Sequence, residues 1–303
     1  SEVDGGNSRA HCVFDQPFEA AIASVRVELV DQGLAPAAVD KVRQRIKHSE
    51  TPFSDQPPQP VSGTGDYALF VGDEAVHLWP EAAPAVLKLL AAVGIDPTIV
   101  GNGRNSGLLA QSLGLAASAK ALAEKTLAEV QASGAKTLLV LSAGDYFAIQ
   151  QMYAERLGLE PLPDVEVVEV SGLLAKSLVA GTLAVSQVDE DRAYAYIDPT
   201  HAVRNPMRHD PVRELVAAVM PNPAKELFWR QDRAHPVGST QLQFSNPTLA
   251  EQLTQARLRD AKESGAELLI CEDPATLHQL NRFADEYGLE VFGLYELLAT
   301  ALT

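Results

Sequence analysis

Cysteine is scarce in this sequence, since only Cys12 and Cys271 occur among its 303 residues. Two cysteines cannot form a disulfide framework, and these two do not have the CxxC spacing of thiolate metal sites. The sequence therefore excludes a small disulfide-bonded scaffold and a cysteine-rich metal centre as interpretations.

Basic residues are also few. The chain has 24 Lys and Arg against 40 Asp and Glu, which gives a formal net charge of −16. A surface of this sign repels a phosphate backbone, and no cluster of Lys or Arg reverses it locally. We therefore expect no nucleic-acid partner.

Long apolar runs are missing as well. No window approaches the roughly 20 apolar residues that cross a bilayer. Residues 1–16 contain no basic segment followed by the apolar run of a leader peptide. These absences predict a cytoplasmic protein that does not span a membrane.

The hydrophobic content of 46% is enough for a substantial core, and the length is enough for two domains. The pattern predicts a mobile tail over 1–16 and a helical arm over 17–50, in which Gly33 separates two helices. A Pro- and Gly-rich linker is predicted over 51–65 because that composition resists regular structure. The main body begins near residue 66.

Strand-like and helical runs alternate through the main body. YALFVG, PTIVG and KTLLVLS read as strands of the first half, and AYAYID, AKELFW and AELLICE read as strands of the second. Helical runs of nine or more residues separate them. This alternation predicts parallel strands that are joined by right-handed crossovers.

The two halves repeat each other. Ser133–Ala135 recurs 131 residues later as Ser264–Ala266, and the same offset carries Gly107 to Gly238. We therefore predict two tandem Rossmann-like parallel α/β units, over 66–187 and 188–303, that are related by a pseudo-twofold. Ser142 should then correspond to Asp273 and Ser106 to Val237. A shared site is expected where the strand ends of the two units meet.

One stretch of the second unit, YIDPTHAVRN, places Asp198, Pro199, His201 and Arg204 directly after a short strand. Together with the repeat spacing, it resembles the cysteine-rich CCG domain family, which includes the catalytic B subunit of heterodisulfide reductase and the iron–sulfur subunits of lactate and glycolate oxidases. The resemblance covers residues 66–303. Each repeat of that family carries one Cys, then Cys-Cys-Gly, then Cys-x-x-Cys.

Other residues occupy all ten positions at which the resemblance implies cluster ligands. They are Asp73, Asn105, Ser106, Ser142 and Asp145 in the first repeat, and Thr200, Pro236, Val237, Asp273 and Thr276 in the second. The long gaps are kept, with 31 and 35 residues in the first repeat and 35 in both gaps of the second. Iron–sulfur clusters need thiolate ligands, which these residue types do not supply. We expect no iron–sulfur cluster.

The family relays electrons through its clusters, so the resemblance implies that this chemistry is lost here. The leading hypothesis is a non-catalytic accessory subunit of a heterodisulfide-reductase-like or lactate/glycolate-oxidase-like complex. Its expected partners are oxidoreductase subunits of the flavoprotein or ferredoxin-like type.

The polar residues that replace the ligands have a second interpretation. Divalent cations accept carboxylate and imidazole ligands, which makes Asp198, His201 and Asp273 metal candidates, with Asp73, Asp145 and His235 nearby in the pattern. Asp198, His201 and Arg204 are likewise candidates for a substrate pocket. Against this, Asp145 and Asp273 suit helix capping, and Asp198 suits an Asx turn, with His201 bonded to a backbone carbonyl. The runner-up hypothesis is thus an enzyme, or a metal- or small-molecule-binding protein, that uses the central cleft.

The glycine-rich loop GNGRNSG, residues 101–107, follows a predicted strand and precedes a helix. Such loops can bind phosphate through backbone amides, but the spacing is GxGxxxG and no Walker Lys-Ser/Thr pair follows. We favour a tight turn without a ligand. No GxSxG elbow occurs, and Cys271 ends an apolar run as a small buried hydrophobe would.

Overall fold

A computed structural model describes residues 18–58, 63–199, 201 and 209–303. The described residues form seven strands: β1 (Tyr67–Val71), β2 (Thr98–Asn102), β3 (Thr137–Val140), β4 (Glu166–Glu169), β5 (Tyr194–Tyr196), β6 (Leu268–Cys271) and β7 (Glu290–Gly293). All pair in parallel, in the order β2-β1-β3-β4 in one sheet and β5-β6-β7 in the other. The predicted tandem α/β fold is confirmed.

The helices of the arm and the first unit are α1 (Phe18–Asp31), α2 (Ala37–Ser49), α3 (Gly72–His77), α4 (Ala82–Ala92), α5 (Leu108–Ser112), α6 (Ala116–Ser133), α7 (Ala143–Phe147), α8 (Tyr153–Leu157) and α9 (Val170–Val179). Those of the second unit are α10 (His209–Val219), α11 (Leu242–Ser245), α12 (Pro247–Glu263), α13 (Pro274–Asn281) and α14 (Leu294–Thr300). A π-helical turn, Ala148–Met152, joins α7 to α8. None of the helices in the described ranges is both long and apolar enough to cross a bilayer.

Both faces of each sheet are covered. Along β1, Leu69 and Val71 face a core that both units share, whereas Ala68 and Phe70 face a second core against α2 and α6. Along β6, Leu268 and Ile270 enter the shared core, and their neighbours face a third. Side chains alternate between the faces of a strand, so burial of both faces makes the strand sequences read as continuous apolar runs.

The two units pack reciprocally. Helix α4, which follows the first strand of unit 1, packs on α14, the last helix of unit 2. Helix α10, which follows the first strand of unit 2, packs on α9, the last helix of unit 1. The Lys88 ammonium on α4 donates to the Ala299 carbonyl at 2.7 Å across the first of these contacts. This exchange of equivalent contacts is the pseudo-twofold relation that the sequence repeat predicts.

Equivalent residues make equivalent bonds at the offset of 131. The Ser133 and Ser264 hydroxyls donate to the carbonyls of Val130 and Ala261, each at 2.7 Å. The hydroxyl of Ser142 caps α7, and the carboxylate of Asp273 caps α13 in the same way, each accepting from the amide three residues on. The correspondence of Ser142 with Asp273 therefore reflects one shared capping geometry.

One strand of the predicted scheme is missing. The segment 224–229, AKELFW, was predicted as the counterpart of β2, but it forms no strand. The Lys225 amide donates to the Tyr194 carbonyl at 2.7 Å, which is the start of a ladder. Pro221 and Pro223 lie just before it and lack amide hydrogens, which weakens pairing there. The second sheet consequently has three strands.

The start of the predicted linker is described, and the predicted tail is not. Residues 1–16 and part of 51–65 lie outside the described residues. The start of the linker is packed in the interior, because Thr51 is fully buried beside the first unit. Gly33 has a φ of +71° and separates α1 from α2, as predicted.

Gly238→Ala is expected to lower the free energy of unfolding by about 2–4 kcal/mol. Gly238 has a φ of +87°, and a Cβ atom there would lie 2.6 Å from the Ala250 carbonyl oxygen. Gly265→Ala is the matched control, because Gly265 has a φ of +82° with nothing within 4 Å of the added atom. Urea unfolding of both variants separates the cost of the contact with Ala250 from the cost of the positive φ. Equal losses of unfolding free energy in the two variants would contradict a cost from that contact.

Candidate functional site

The site is built where β1, β2, β3 and β6 end, as expected for parallel α/β units. Asp73 lies in the first turn of α3 after β1, and Asn105 follows β2. Ser142 and Asp145 follow β3, and Asp273 follows β6. These five residues are all buried. Polar residues that follow strands of both units thus form one polar region inside the protein.

Asp73 is held by residues from two other segments. Its carboxylate accepts a hydrogen bond from the Thr51 hydroxyl at 2.9 Å, and the Asn105 amide donates to both of its oxygens at 3.2 Å. The Asp73 side chain is 1% exposed. Sequence reasoning missed Thr51, because its partner lies 22 residues along the chain and no local motif links them.

Asp145 lies next to the start of α3. The Ser142 hydroxyl donates to Asp145 Oδ2 at 2.8 Å. A Cβ atom on Gly72 would be 2.6 Å from that same oxygen, and Gly72 has a φ of +79°. Only glycine therefore lets the Asp145 carboxylate approach the turn that carries Asp73.

Asp273 occupies the position in unit 2 that Ser142 occupies in unit 1, and it likewise bonds to the residue three positions on. Its carboxylate accepts from the Thr276 amide at 3.0 Å and from the Thr276 hydroxyl at 2.6 Å. Helix α13 starts with Pro274, which needs no amide partner at this position. The capping prediction for Asp273 is confirmed. The capping prediction for Asp145 is wrong, because in unit 1 Ser142 supplies the capping oxygen and Asp145, inside the helix, contributes its amide hydrogen.

Glu74 is a fourth carboxyl group in this region, and sequence reasoning missed it. Burial raises the pKa of its carboxyl group well above the ordinary value, and the negative charges of Asp273, Asp145 and Asp73 raise it further. Glu74 as a residue is partly exposed, unlike Asp73. Two adjacent acidic residues directly after a buried strand, Asp73 and Glu74, were the available sequence signal.

Burial sets the charge of this cluster. Burial, with the nearby charge of Asp145, raises the pKa of Asp73 to about 7. Burial also raises the pKa of Asp145 to about 6, against the hydrogen bonds from Ser106 and Ser142, and the charge of Asp273 adds to the rise. Close carboxylates in a low dielectric cannot all ionise. Near neutral pH, the cluster therefore retains protons.

Asp198 does not join this cluster. Its carboxylate accepts two bonds from the Arg213 guanidinium and one from the Gln231 amide, all at 2.9 Å. Arg213 on α10 supplies a bidentate pair that the sequence did not predict. Most of the turn after Asp198 lies outside the described residues, so the Asx hydrogen bond stays a prediction. Arg204, a candidate for the substrate pocket, and Thr200 lie outside the described residues.

His201 lies against the first unit. Its ring stacks on Phe147 with centroids 5.5 Å apart, and its Nδ1 is 3.5 Å from the position of an added Cβ on Gly144. Gly144 precedes Asp145, so this imidazole of unit 2 lies beside the capped turn of unit 1. His201 is the one member of the predicted pocket trio that is placed near the carboxyl cluster by described contacts.

Val237 and Pro236, two further positions of unit 2 at which the resemblance implies cluster ligands, lie away from the carboxyl cluster in the described contacts. Val237 is buried with Ile197, Leu269 and Cys271 in the third core, and its carbonyl accepts from the Thr254 hydroxyl at 2.7 Å. Pro236, the residue before it, is partly exposed. His235, named above as a metal candidate, stacks on Trp229 with centroids 4.1 Å apart.

The glycine-rich loop 101–107 uses its amides internally. The Gly101 amide donates to the Glu129 carboxylate at 3.0 Å, and the Asn105 amide donates to the Glu50 carbonyl at 3.0 Å. The Gly107 amide donates to the Asn105 side chain at 2.9 Å. A phosphate site needs such amides free. The tight-turn interpretation is therefore the one that the bonding supports.

The donor set does not fit an iron–sulfur cluster. Cys271 is the free cysteine among the described residues, and burial raises the pKa of its thiol, which disfavours a thiolate ligand. The replaced positions supply oxygen donors, an apolar valine and a proline. Across the described ranges, no group of three or more His, Cys, Asp or Glu side chains is arranged to hold a metal ion.

Comparison with known proteins supports the fold and does not indicate an activity. No protein-family model and no curated protein match the chain. A hypothetical protein from Helicobacter pylori aligns with 86% of this chain at a TM-score of 0.59 and 11% identity. The match spans about half of that protein, 53% of its chain. At this identity, the similarity shows a shared fold only.

Two further solved structures align more loosely. A putative Asp/Glu racemase from Yersinia pestis covers 77% of this chain and 95% of its own, at a TM-score of 0.35 and 12% identity. An aspartate racemase homologue from Pyrococcus horikoshii OT3 covers 78% and 96%, at 0.31 and 12%. Neither similarity is close enough to carry an argument about activity.

Proposed function

We propose that this chain is a CCG-type protein without an iron–sulfur cluster that acts as a non-catalytic, accessory subunit of an oxidoreductase complex of the heterodisulfide-reductase or lactate/glycolate-oxidase kind. One observation supports this best. The side chains at the replaced ligand positions bond to one another, as in Asp73 with Asn105, Ser142 with Asp145, and Asp273 with Thr276.

The bonding partners explain why this arrangement favours a structural centre. Thr51 extends the network to the start of the linker, directly after the arm, so the polar region also holds this segment against unit 1. Carboxylates that accept several hydrogen bonds from their own chain must lose those bonds to take up a ligand. Because the polar residues at the centre are bonded within the chain, we expect this protein to bind other proteins through its surface. The expected partner of such an accessory subunit is a flavoprotein or ferredoxin-like subunit.

Protein purified without air is expected to be colourless, with no iron and no acid-labile sulfide. The physical reason is the missing set of thiolates. Elemental analysis and an absorption spectrum, before and after dithionite, make the measurement. A brown preparation whose absorbance near 400 nm bleaches with dithionite would contradict both the missing cluster and the accessory role derived from it.

A second candidate function rests on Glu74. Glu74 as a residue is partly exposed, its carboxyl group stands among three buried ones, and the hydrogen bonds of the described residues include none to its side-chain oxygens. A cationic group, either a divalent metal ion or a small protonated amine, is the chemistry that such a place favours. In this case, the chain would be an enzyme or binding protein that uses the centre, with His201 at its border.

A melting-temperature screen separates the two candidates. For the accessory role, Mg²⁺, Mn²⁺, Zn²⁺ and small diamines should leave the melting temperature of the wild type unchanged, since a ligand stabilises only a state that binds it. Glu74→Gln and His201→Ala test the second candidate, and Glu81→Gln, an exposed site a few residues on, is the control. A shift that the first two substitutions remove and the control keeps would defeat the accessory proposal.

A further inference from the structure

Within the part of the chain that the structure describes, no strand pairs with the outer edge of β4 in the first sheet. Strand β4 is the last in the order β2-β1-β3-β4. The Glu166 amide donates to the Lys136 carbonyl at 2.9 Å, towards β3. Backbone groups of neighbouring strand residues point in opposite directions, so the amide and carbonyl of Val167 point away from β3. The edge therefore offers main-chain bonds to a further strand.

A cavity of about 620 Å³ runs along this edge. All four residues of β4 line it, together with residues of α9 and α10. Because consecutive strand residues point to opposite faces, a cavity that touches every one of them follows the edge and does not lie over one face. The cavity is thus a groove between a strand edge and a helical wall.

The wall of the groove is apolar. Val167, Ala175, Val179 and Val212 all line it. Val179, the last residue of α9, is 78% exposed, a large fraction for a valine in a folded domain. A single exposed valine is common on protein surfaces, but here it adjoins an unpaired strand edge and a cavity, which together suit a docking surface.

The rim of the groove is acidic. The exposed Glu166 and Glu214 line it against one lysine, Lys176, while Glu169, which also lines the cavity, is buried. With the chain at a formal charge of −16, this surface attracts basic segments and repels acidic ones. The charge therefore restricts which kind of chain can bind.

We propose that the β4 groove binds an extended, basic segment of a partner protein, which adds to the sheet as a fifth strand next to β4. Its main chain pairs with Val167, its apolar side chains contact the wall that contains Val179, and its Lys or Arg side chains face the glutamates of the rim. The proposal deepens the accessory role by naming the docking surface, and it rests on that role.

A labelled octapeptide of alternating Val and Lys is the probe, and fluorescence anisotropy at low salt is the measurement. We expect saturable binding that weakens with added salt, and no binding of the matching Val-Glu peptide. A Val-Lys peptide that is N-methylated at alternate residues should bind at least about tenfold more weakly, because it loses the main-chain bonds. Hydrogen exchange at Val167 should slow when the first peptide is bound.

Two pairs of variants locate the site. Glu166→Lys and Val179→Ser should each weaken binding by about tenfold, which is about 1.4 kcal/mol. Their controls are Glu160→Lys and Val25→Ser, at exposed positions away from the groove. All four side chains are on the surface, so melting curves should stay near that of the wild type.

Three results would overturn the groove as a strand-docking site. They are an absence of binding, binding that the groove variants leave unchanged, and equal binding of the N-methylated peptide. The last would indicate an apolar or purely electrostatic contact without strand pairing. If the Val-Lys peptide does not bind and the protein contains no iron or sulfide, the β4 groove is not the docking surface, and the accessory role is not contradicted. A cluster found in the protein would remove the accessory role first.

Discussion

Asp198→Ala is expected to lower the free energy of unfolding by about 3 kcal/mol. The Asp198 side chain is 4% exposed, and that of Arg213 is 17% exposed. Its carboxylate joins the end of β5 to α10 through Arg213 and to the turn at Gln231 through a backbone amide. Removing the carboxylate leaves a mostly buried guanidinium without its bidentate partner, which costs more than the loss of a surface pair.

The control uses the same arginine. Arg213 also contacts Glu226 at 3.4 Å, but the Glu226 side chain is 41% exposed, so Glu226→Ala should cost less than about 0.5 kcal/mol. A double-mutant cycle of Asp198→Ala with Arg213→Met, followed by urea unfolding, measures the coupling. A loss below about 1 kcal/mol for Asp198→Ala, or a coupling near zero, would show that the pair does not hold these segments together.

A second large effect is expected from pH. The free energy of unfolding should contain a contribution that falls as pH rises from about 4 to about 7. Asp73 has its pKa raised from 3.8 to about 7, and Asp145 from 3.8 to about 6. Between these values the folded protein holds protons that the unfolded chain has released, so the contribution is present below pH 4 and lost through pH 7. For Asp73 alone, its upper bound is roughly 4 kcal/mol.

Asp73→Asn isolates this contribution, because the amide has nearly the same shape and cannot ionise. The difference in unfolding free energy between variant and wild type should shift in favour of the variant by about 2 kcal/mol or more from pH 5 to pH 8. Asp66→Asn is the control, since the Asp66 side chain is 71% exposed. If the two variants follow the wild type in parallel across this range, Asp73 is not held protonated by its surroundings.

The bonding network also explains why Asp73→Asn is preferable to Asp73→Ala. Thr51 and Asn105 both donate to this carboxyl group, so truncation would leave buried donors without an acceptor. That loss is present at every pH and would hide the proton-linked effect. The asparagine keeps an acceptor oxygen and leaves the pH dependence as the main difference.

What the sequence determined by itself is the repeating α/β scheme and the features that depend on short-range geometry. The offset of 131 predicted equivalent glycines, and Gly107 and Gly238 both have positive φ with an alanine carbonyl close by. Asp273 before Pro274 predicted a helix cap, because the cap and the amide it bonds lie three residues apart. Patterns of this kind are readable since their partners are neighbours in the chain.

Only the tertiary structure decided which side chains meet across the chain. It brought Thr51 of the linker to Asp73, placed Glu74 among the carboxyl groups of both units, and paired Asp198 with Arg213. These pairings depend on how the two sheets and the N-terminal segments pack. In the sequence, an acidic residue after a strand looks the same whether it caps a helix, pairs with an arginine or keeps a proton. The pKa values differ for the same reason, because burial and neighbouring charges arise only when distant segments are packed together.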